Sequence, residues 1–342
     1  MEVILKQHNN VNFITLMNEA GMVVTLCSLG ASFYDIKVID KEERLESVIL
    51  TPSDLETFYT DTGYYGKCVG RYSGRIDDAK CSINGKEYIL DRNWNGVNSL
   101  HGGFEGIGFA NFHHEVESFD DYTLVTFKYL EKANKLPGDV SYKFTYKVMN
   151  KENDITLNFE ATTTEDTVVN LTNHAYFNLS GEGKRTVMNQ KLQFLCDRYT
   201  RLNNNLITIT VDPVNEVFDF REMHEIGKFI NDPSLQDHIA KGYDHCFLKA
   251  DESNPLVAVL KDDISGRKLS VYTSYPAVVC YAGCYPGEFE FNETKFKIQK
   301  HHAVCLECQY VPNGINMEDV DKAILRKGET YNHYIRYHFD VE

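Results

Sequence analysis

From residue 142 to residue 161 apolar and polar side chains alternate almost without interruption, and few structures other than a β-hairpin tolerate that pattern. Tyr142, Phe144, Tyr146 and Val148 alternate with Lys143, Thr145 and Lys147. After a polar turn at residues 150–154, Ile155, Leu157, Phe159 and Ala161 alternate with Thr156, Asn158 and Glu160. A helix would scatter these apolar groups around its circumference; a strand puts them on one face. The reading is a half-buried antiparallel hairpin. Residues 124–129 alternate in the same way, and residues 271–281 and 331–339 read as further strands. Asn84-Gly85 is a pair that favours a tight hairpin turn. Helical signals are few. Ser53-Asp54-Leu55-Glu56 reads as a capping box opening a short helix, and residues 229–240 have room for another turn or two.

No Pro/Ser-rich linker, low-complexity tract or internal repeat divides the 342 residues. The expectation is one all-β domain spanning 1–342, a large antiparallel β-sandwich with a few short helices. The 21 Tyr and 20 Phe suit such a fold, because aromatic side chains favour strands. A net charge of −15 argues against nucleic acid or an anionic membrane surface as partner. No apolar run approaches membrane-spanning length. Met1-Glu2-Val3-Ile4-Leu5-Lys6 does not start a secretory signal. The nine cysteines are odd in number and scattered, which reads as reduced thiols and a cytoplasmic setting.

Five short motifs carry the candidate chemistry. They are Gly70-Arg71-Tyr72-Ser73-Gly74-Arg75-Ile76, Ser99-Leu100-His101-Gly102-Gly103, Asn173-His174-Ala175-Tyr176-Phe177-Asn178-Leu179, Gly242-Tyr243-Asp244-His245 and Cys305-Leu306-Glu307-Cys308-Gln309. Glu307 lies in a mostly apolar run that reads as a strand, with Cys305, Glu307 and Gln309 on one face and Val304, Leu306 and Cys308 on the other. A carboxylate on such a strand is desolvated, which raises its pKa and suits a general base near neutrality. The competing role is a surface glutamate on an edge strand. His174 sits where an apolar strand meets polar and aromatic residues, and an imidazole there moves protons near pH 7; alone it would more often be a satisfied core histidine. Glycines after His101 permit a tight loop with close ligand approach, or only a surface turn. Asp244 has the chemistry to accept hydroxyl hydrogens, or to cap a turn. Arg75 and Arg71 compete for contact with a hydroxyl or a developing oxyanion.

Cys305 and Cys308 form a Cys-x-x-Cys pair with His301, His302, Cys280 and Cys284 nearby, which raises a zinc site. Strand alternation places Cys305 and Cys308 on opposite faces, against that reading. There is no phosphate-cradling glycine loop and no dinucleotide fingerprint, so the expectation is no metal and no cofactor.

The five motifs, in this order, resemble the aldose 1-epimerase family, the galactose mutarotases. The resemblance covers nearly the whole chain, from Leu29-Gly30-Ala31 to the Glu307 strand. It implies a β-sandwich with an open cleft that interconverts α and β anomers of sugars such as galactose and glucose. By motif, the base falls on Glu307 and the acid on His174. The sugar-binding groups fall on Arg75, His101, Tyr176 and Asp244, with Arg75 chosen over Arg71 by the Arg-Ile pair. Many members carry Asn where this chain has Gly74, and Gln where it has Tyr275, which enters the expectation as a substrate-binding residue that shifts sugar preference. Glu307 is expected as carboxylate and His174 as imidazolium at rest. The expected partner is a small monosaccharide, met by a monomer or homodimer. Other readings are an epimerase for a different or phosphorylated hexose, a non-catalytic sugar-binding module, and a glycoside hydrolase using Glu307 with Asp244.

Overall fold

The structure is a computed structural model that describes residues 1–283 and 289–342. Strands account for 47% of it and helix for 8%, so the all-β expectation holds. The opening hairpin is present: Val140–Met149 pairs antiparallel with Asp154–Thr163, Phe144 opposite Phe159. Along the first strand every second residue from Val140 to Val148 is buried, and those between are exposed or half-buried. This hairpin lies inside a nine-stranded antiparallel sheet. Tyr122–Glu131 and His113–Ser118 extend it on one side. Tyr331–Val341, Arg267–Thr273, Leu256–Lys261, Lys191–Phe194 and His224–Glu225 extend it on the other.

A second antiparallel sheet has six strands in the order Tyr176–Phe177, Val304–Gln309, Ala277–Tyr281, Asp244–Lys249, Cys196–Leu202, Thr208–Pro213. One of its faces packs on the large sheet. Phe247 meets Phe194 at 4.7 Å between ring centroids, and Phe177 meets Tyr337 at 5.6 Å. A five-stranded meander, from Glu2–His8 to Leu45–Ser47, adds Phe33 to the same core, 5.0 Å from Tyr146. The other face of the six-stranded sheet is left to build the cavity.

Two expectations change. The run at 271–281 is two strands in two sheets: Arg267–Thr273 belongs to the nine-stranded sheet and Ala277–Tyr281 to the six-stranded one. Ser274-Tyr275-Pro276 makes the crossing, where Pro276 cannot donate to a ladder. The short helix Leu55–Thr60 is capped by Asp54 rather than Ser53. Asp54 accepts from the Thr57 amide at 2.8 Å and from its hydroxyl at 2.6 Å, while the Ser53 amide donates to Glu290. Residues 229–240 do hold a helical turn, Pro233–Gln236. No helix among the described residues is long and apolar enough to cross a membrane.

Candidate active site

The floor of the cavity follows from strand alternation. Glu307 and Gln309, Val279 and Tyr281, Asp244 and Cys246, Thr200 and Leu202 are alternate residues of four neighbouring strands, and all line one cavity of about 380 Å³. The register sets Val279 beside Glu307 and Cys246 beside Val279. Glu307 is therefore on an interior strand, covered on one side by Tyr176–Phe177, and it is 3% exposed. The edge-strand role is excluded.

The walls come from short segments outside this sheet. Arg75 and Leu100 pair in a two-stranded ladder that delivers His101 to the rim. His101 has φ 49°, and Gly102 beyond it has φ 85°. A Cβ on Gly102 would lie 2.0 Å from the Gly70 carbonyl oxygen, so only glycine fits this loop. Thr172–Asn173 pairs with Cys68–Val69 and carries His174 to a position beside His101, 5.2 Å between ring centroids. Tyr176 stacks on the His174 ring at 5.0 Å and donates its hydroxyl hydrogen to the Gly63 carbonyl.

These segments bring the predicted groups together. His174 Nε2 lies 3.5 Å from Glu307 Oε1, both side chains nearly fully buried. The Arg75 guanidinium donates to Asp244 Oδ2 at 3.1 Å. The Gly74 amide donates to His101 Nδ1 at 3.2 Å, so the neutral ring carries its hydrogen on Nε2. Arg71 lies elsewhere, buried against Glu131 and donating to the Pro137 and Gly138 carbonyls, which leaves Arg75 as the cavity arginine.

Burial shapes the titration of the pair. Burial, and then the negative charge of Asp244, push the Glu307 carboxyl well above the ordinary range, against the pull of Arg75. Burial pushes His174 down to about 4, with Arg75 adding to the shift. Burial, His174 and Arg75 push His101 well below its usual value. Both shifts favour the neutral pair, with the shared proton on Glu307, over the imidazolium and carboxylate expected from sequence. The two descriptions hold the same single proton; burial disfavours the form with two charges.

One predicted residue is not brought in. Tyr275 is fully buried behind the cavity, where its hydroxyl is 2.7 Å from that of Tyr331 and its ring stacks 4.2 Å from His333. The crossing between the two sheets turns it into the core. Gly74 does line the cavity, and a Cβ there would lie 2.7 Å from Pro312 Cβ, so the proline fills the space a side chain would need. Sequence reasoning missed Trp94, which stacks 4.5 Å over the Arg75 guanidinium, and Tyr64, whose ring edge meets His101 at 4.9 Å. A lone tryptophan between Asn93 and Asn95 was the available signal for the first; Tyr64 had none. Gln309 was placed on the correct face without being assigned a role.

His101, His174 and Glu307 offer atoms within 4.8 Å of one another, a spacing that would hold a metal. The His101 tautomer argues against it: Nδ1 is occupied by the Gly74 amide and Nε2 carries hydrogen, so neither nitrogen has a free lone pair. Cys305 and Cys308 point to opposite sides. Cys305 Sγ is 3.5 Å from His174 Nδ1, whereas Cys308 faces Thr273 and Lys249. The eight described cysteines are buried, and Cys284 lies outside the described residues.

A carboxyl and an imidazole side by side in a β-sandwich cleft, beside a paired arginine and aspartate, define an acid–base site for a polyol. The chain belongs to the aldose 1-epimerase family, whose model matches residues 12–338. It is 32% identical to a galactose mutarotase of Mus musculus over 93% of this chain and 91% of that one. It is 30% identical to an aldose 1-epimerase of Escherichia coli (strain K12), over 96% and 95%. The structure of an aldose epimerase homologue from C. elegans superposes with a TM-score of 0.86 at 26% identity, covering 97% of this chain and 99% of that chain.

Proposed function

We propose that this protein is an aldose 1-epimerase that interconverts the α and β anomers of galactose- and glucose-type aldohexoses. The observation that carries the reading is the 3.5 Å approach of His174 Nε2 to Glu307 Oε1 inside the cavity. Mutarotation removes a proton from the C1 hydroxyl and delivers one to the ring oxygen. Both oxygens are bonded to C1, so the two proton-transfer groups must be neighbours.

In the reactive form of the pair its one proton is on His174 and Glu307 is ionised. Glu307 then takes the C1 hydroxyl proton and His174 protonates the ring oxygen. The ring opens, the C1–C2 bond rotates, and closure from the other face reverses both transfers. Nothing is consumed, so the chemistry calls for no cofactor. The Nε2–H of His101 and the Arg75 guanidinium stabilise charge developing on oxygen, and Asp244 accepts sugar hydroxyl hydrogens. Tyr176 supplies a ring face beside His174.

Arg75 is the one arginine or lysine lining the cavity among the described residues, and Asp244 already pairs with it, which gives a sugar phosphate little support. The same pairing engages the second carboxylate that a hydrolase would use. The buried core draws on residues from Ile14 to Phe339, which supports one domain across 1–342. A monosaccharide as partner, a cytoplasmic setting, a monomeric or homodimeric state and no nucleic-acid or membrane partner complete the proposal.

The test is polarimetry on freshly dissolved α-galactose and α-glucose. Wild type should accelerate the approach to the equilibrium rotation. Glu307→Gln should lower kcat by ~10²–10⁴-fold, the usual cost of losing a general base, with sugar binding retained. A Glu307→Gln variant within a few-fold of wild type would sink the assignment.

A further inference from the structure

Behind the wall that carries Tyr64 lies an ion pair with no exposure at all. Asp61 Oδ2 and Lys67 Nζ are 3.0 Å apart, and both side chains are fully buried. The ammonium also sits over the rings of Phe58 and Phe109, 5.2 and 4.8 Å from their centroids. Taking two charges out of water is costly, and apolar residues of similar volume commonly serve stability as well. A second consequence of the pair is geometric: it closes the stretch from 61 to 67 on itself.

That stretch touches the site at two places. Its middle, Gly63, Tyr64 and Tyr65, lines the cavity. Its end holds the main chain of His174 from both sides: the His174 amide donates to the Lys67 carbonyl at 2.9 Å, and the Gly66 amide donates to the His174 carbonyl at 3.0 Å. Side chains run along the same path. Phe109, under the Lys67 ammonium, packs on Tyr64 at 5.3 Å, and Tyr64 lies near-parallel to the His174 ring at 6.4 Å.

We propose that Asp61 and Lys67 are positioning residues for the reaction: by closing this loop they hold the His174 main chain and Tyr64 in place, and so aim Nε2 at Glu307 and the sugar. The inference rests on the acid role assigned to His174 above. A pair serving the fold alone would change stability and leave turnover per folded molecule untouched.

The experiment compares wild type, the double variant Asp61→Asn/Lys67→Met, which removes both charges with little change of shape, and Lys67→Arg, which keeps the charges but widens the cation. Each is followed by thermal melting, by kcat and KM for galactose, and by the pH profile of kcat/KM. Folded double variant is expected to retain KM within about three-fold while kcat falls about 10- to 100-fold, the range an ångström-scale misplacement produces. Its pH limbs should also move, because their spacing depends on the distance between His174 and Glu307. Lys67→Arg should fold and lose several-fold in kcat. A folded double variant with wild-type kcat and pH profile overturns the proposal and leaves the functional reading standing. If every alteration of the pair abolishes folding, its role is structural and the proposal is overturned as well. Wild type without mutarotase activity overturns the functional reading and this inference with it.

Discussion

Glu307 and His174 illustrate how far a single residue can be read. The alternation of Val304–Gln309 already placed Glu307 and Gln309 on one face, and the structure puts both in the cavity. Their proton could not be placed the same way, because the shifts come from burial by distant segments. The sign of the pH dependence follows. Wild-type kcat/KM should fall on the acid side as His174 gains a second proton for the pair, near pH 4, and on the alkaline side as Glu307 loses the pair's only one. Single substitutions then give opposite slopes. Residual activity of His174→Asn needs only ionised Glu307 and should rise with pH through the range where wild type declines. Residual activity of Glu307→Gln needs protonated His174 and should fall as pH rises above about 4. A His174→Asn profile that is flat above pH 5 would return Glu307 to an ordinary carboxylate. Tyr275 marks the limit of motif transfer. Its hydroxyl partners Tyr331 in the core, so Tyr275→Phe should cost about 1 kcal/mol of stability, the net value of one hydrogen bond. Denaturant midpoints measure that loss; the order of kcat/KM among galactose, glucose and xylose should not change.

Elements were legible where their pattern is local. The hairpin of Val140–Met149 and Asp154–Thr163 needed only its own alternation, and Lys80–Ile83 with Lys86–Ile89 needed only Asn84-Gly85 between them. Asn84 and Gly85 take φ 52° and 78°, as a tight hairpin turn requires. A Cβ on Gly85 would meet nothing within 4 Å, so Gly85→Ala isolates the backbone term. It should destabilise by about 1 kcal/mol, the penalty for a left-handed alanine, with kcat unchanged; a loss above 3 kcal/mol in chemical denaturation would mean the turn carries contacts not seen here. Where two local signals overlapped, the reading slipped. Ser53 and Asp54 are both good caps, and the choice fell to Asp54 because the Ser53 amide is engaged by Glu290, some 240 residues away in the chain.

At the scale of the molecule, the site exists because sheets and loops far apart in sequence are locked together. Arg267 shows how. Fully buried, it donates to the carbonyls of Val38, Ile39, Arg44 and Leu179 and to the Glu46 carboxylate, tying the nine-stranded sheet to the five-stranded one. Arg267→Met takes one donor from each of these groups, although Ser265 still donates to Leu179, the Asp40 amide to Arg44 and Lys184 to Glu46; it should destabilise by about 1–3 kcal/mol, read from the urea midpoint, and no measurable change would show that the carbonyls find other donors. The sequence alone determined the strand-rich architecture, the tight hairpin turn, and which residue types could do acid–base chemistry. Those properties depend on side-chain period and local backbone preference, which neighbours in the chain define. Tertiary structure alone decided that the run at 271–281 divides between two sheets, that Tyr275 faces the core and Trp94 the cavity, and that burial favours the pair's proton on Glu307 over His174. Each of these depends on which distant segment covers a group and excludes water from it, and desolvation has no signature in the residues on either side.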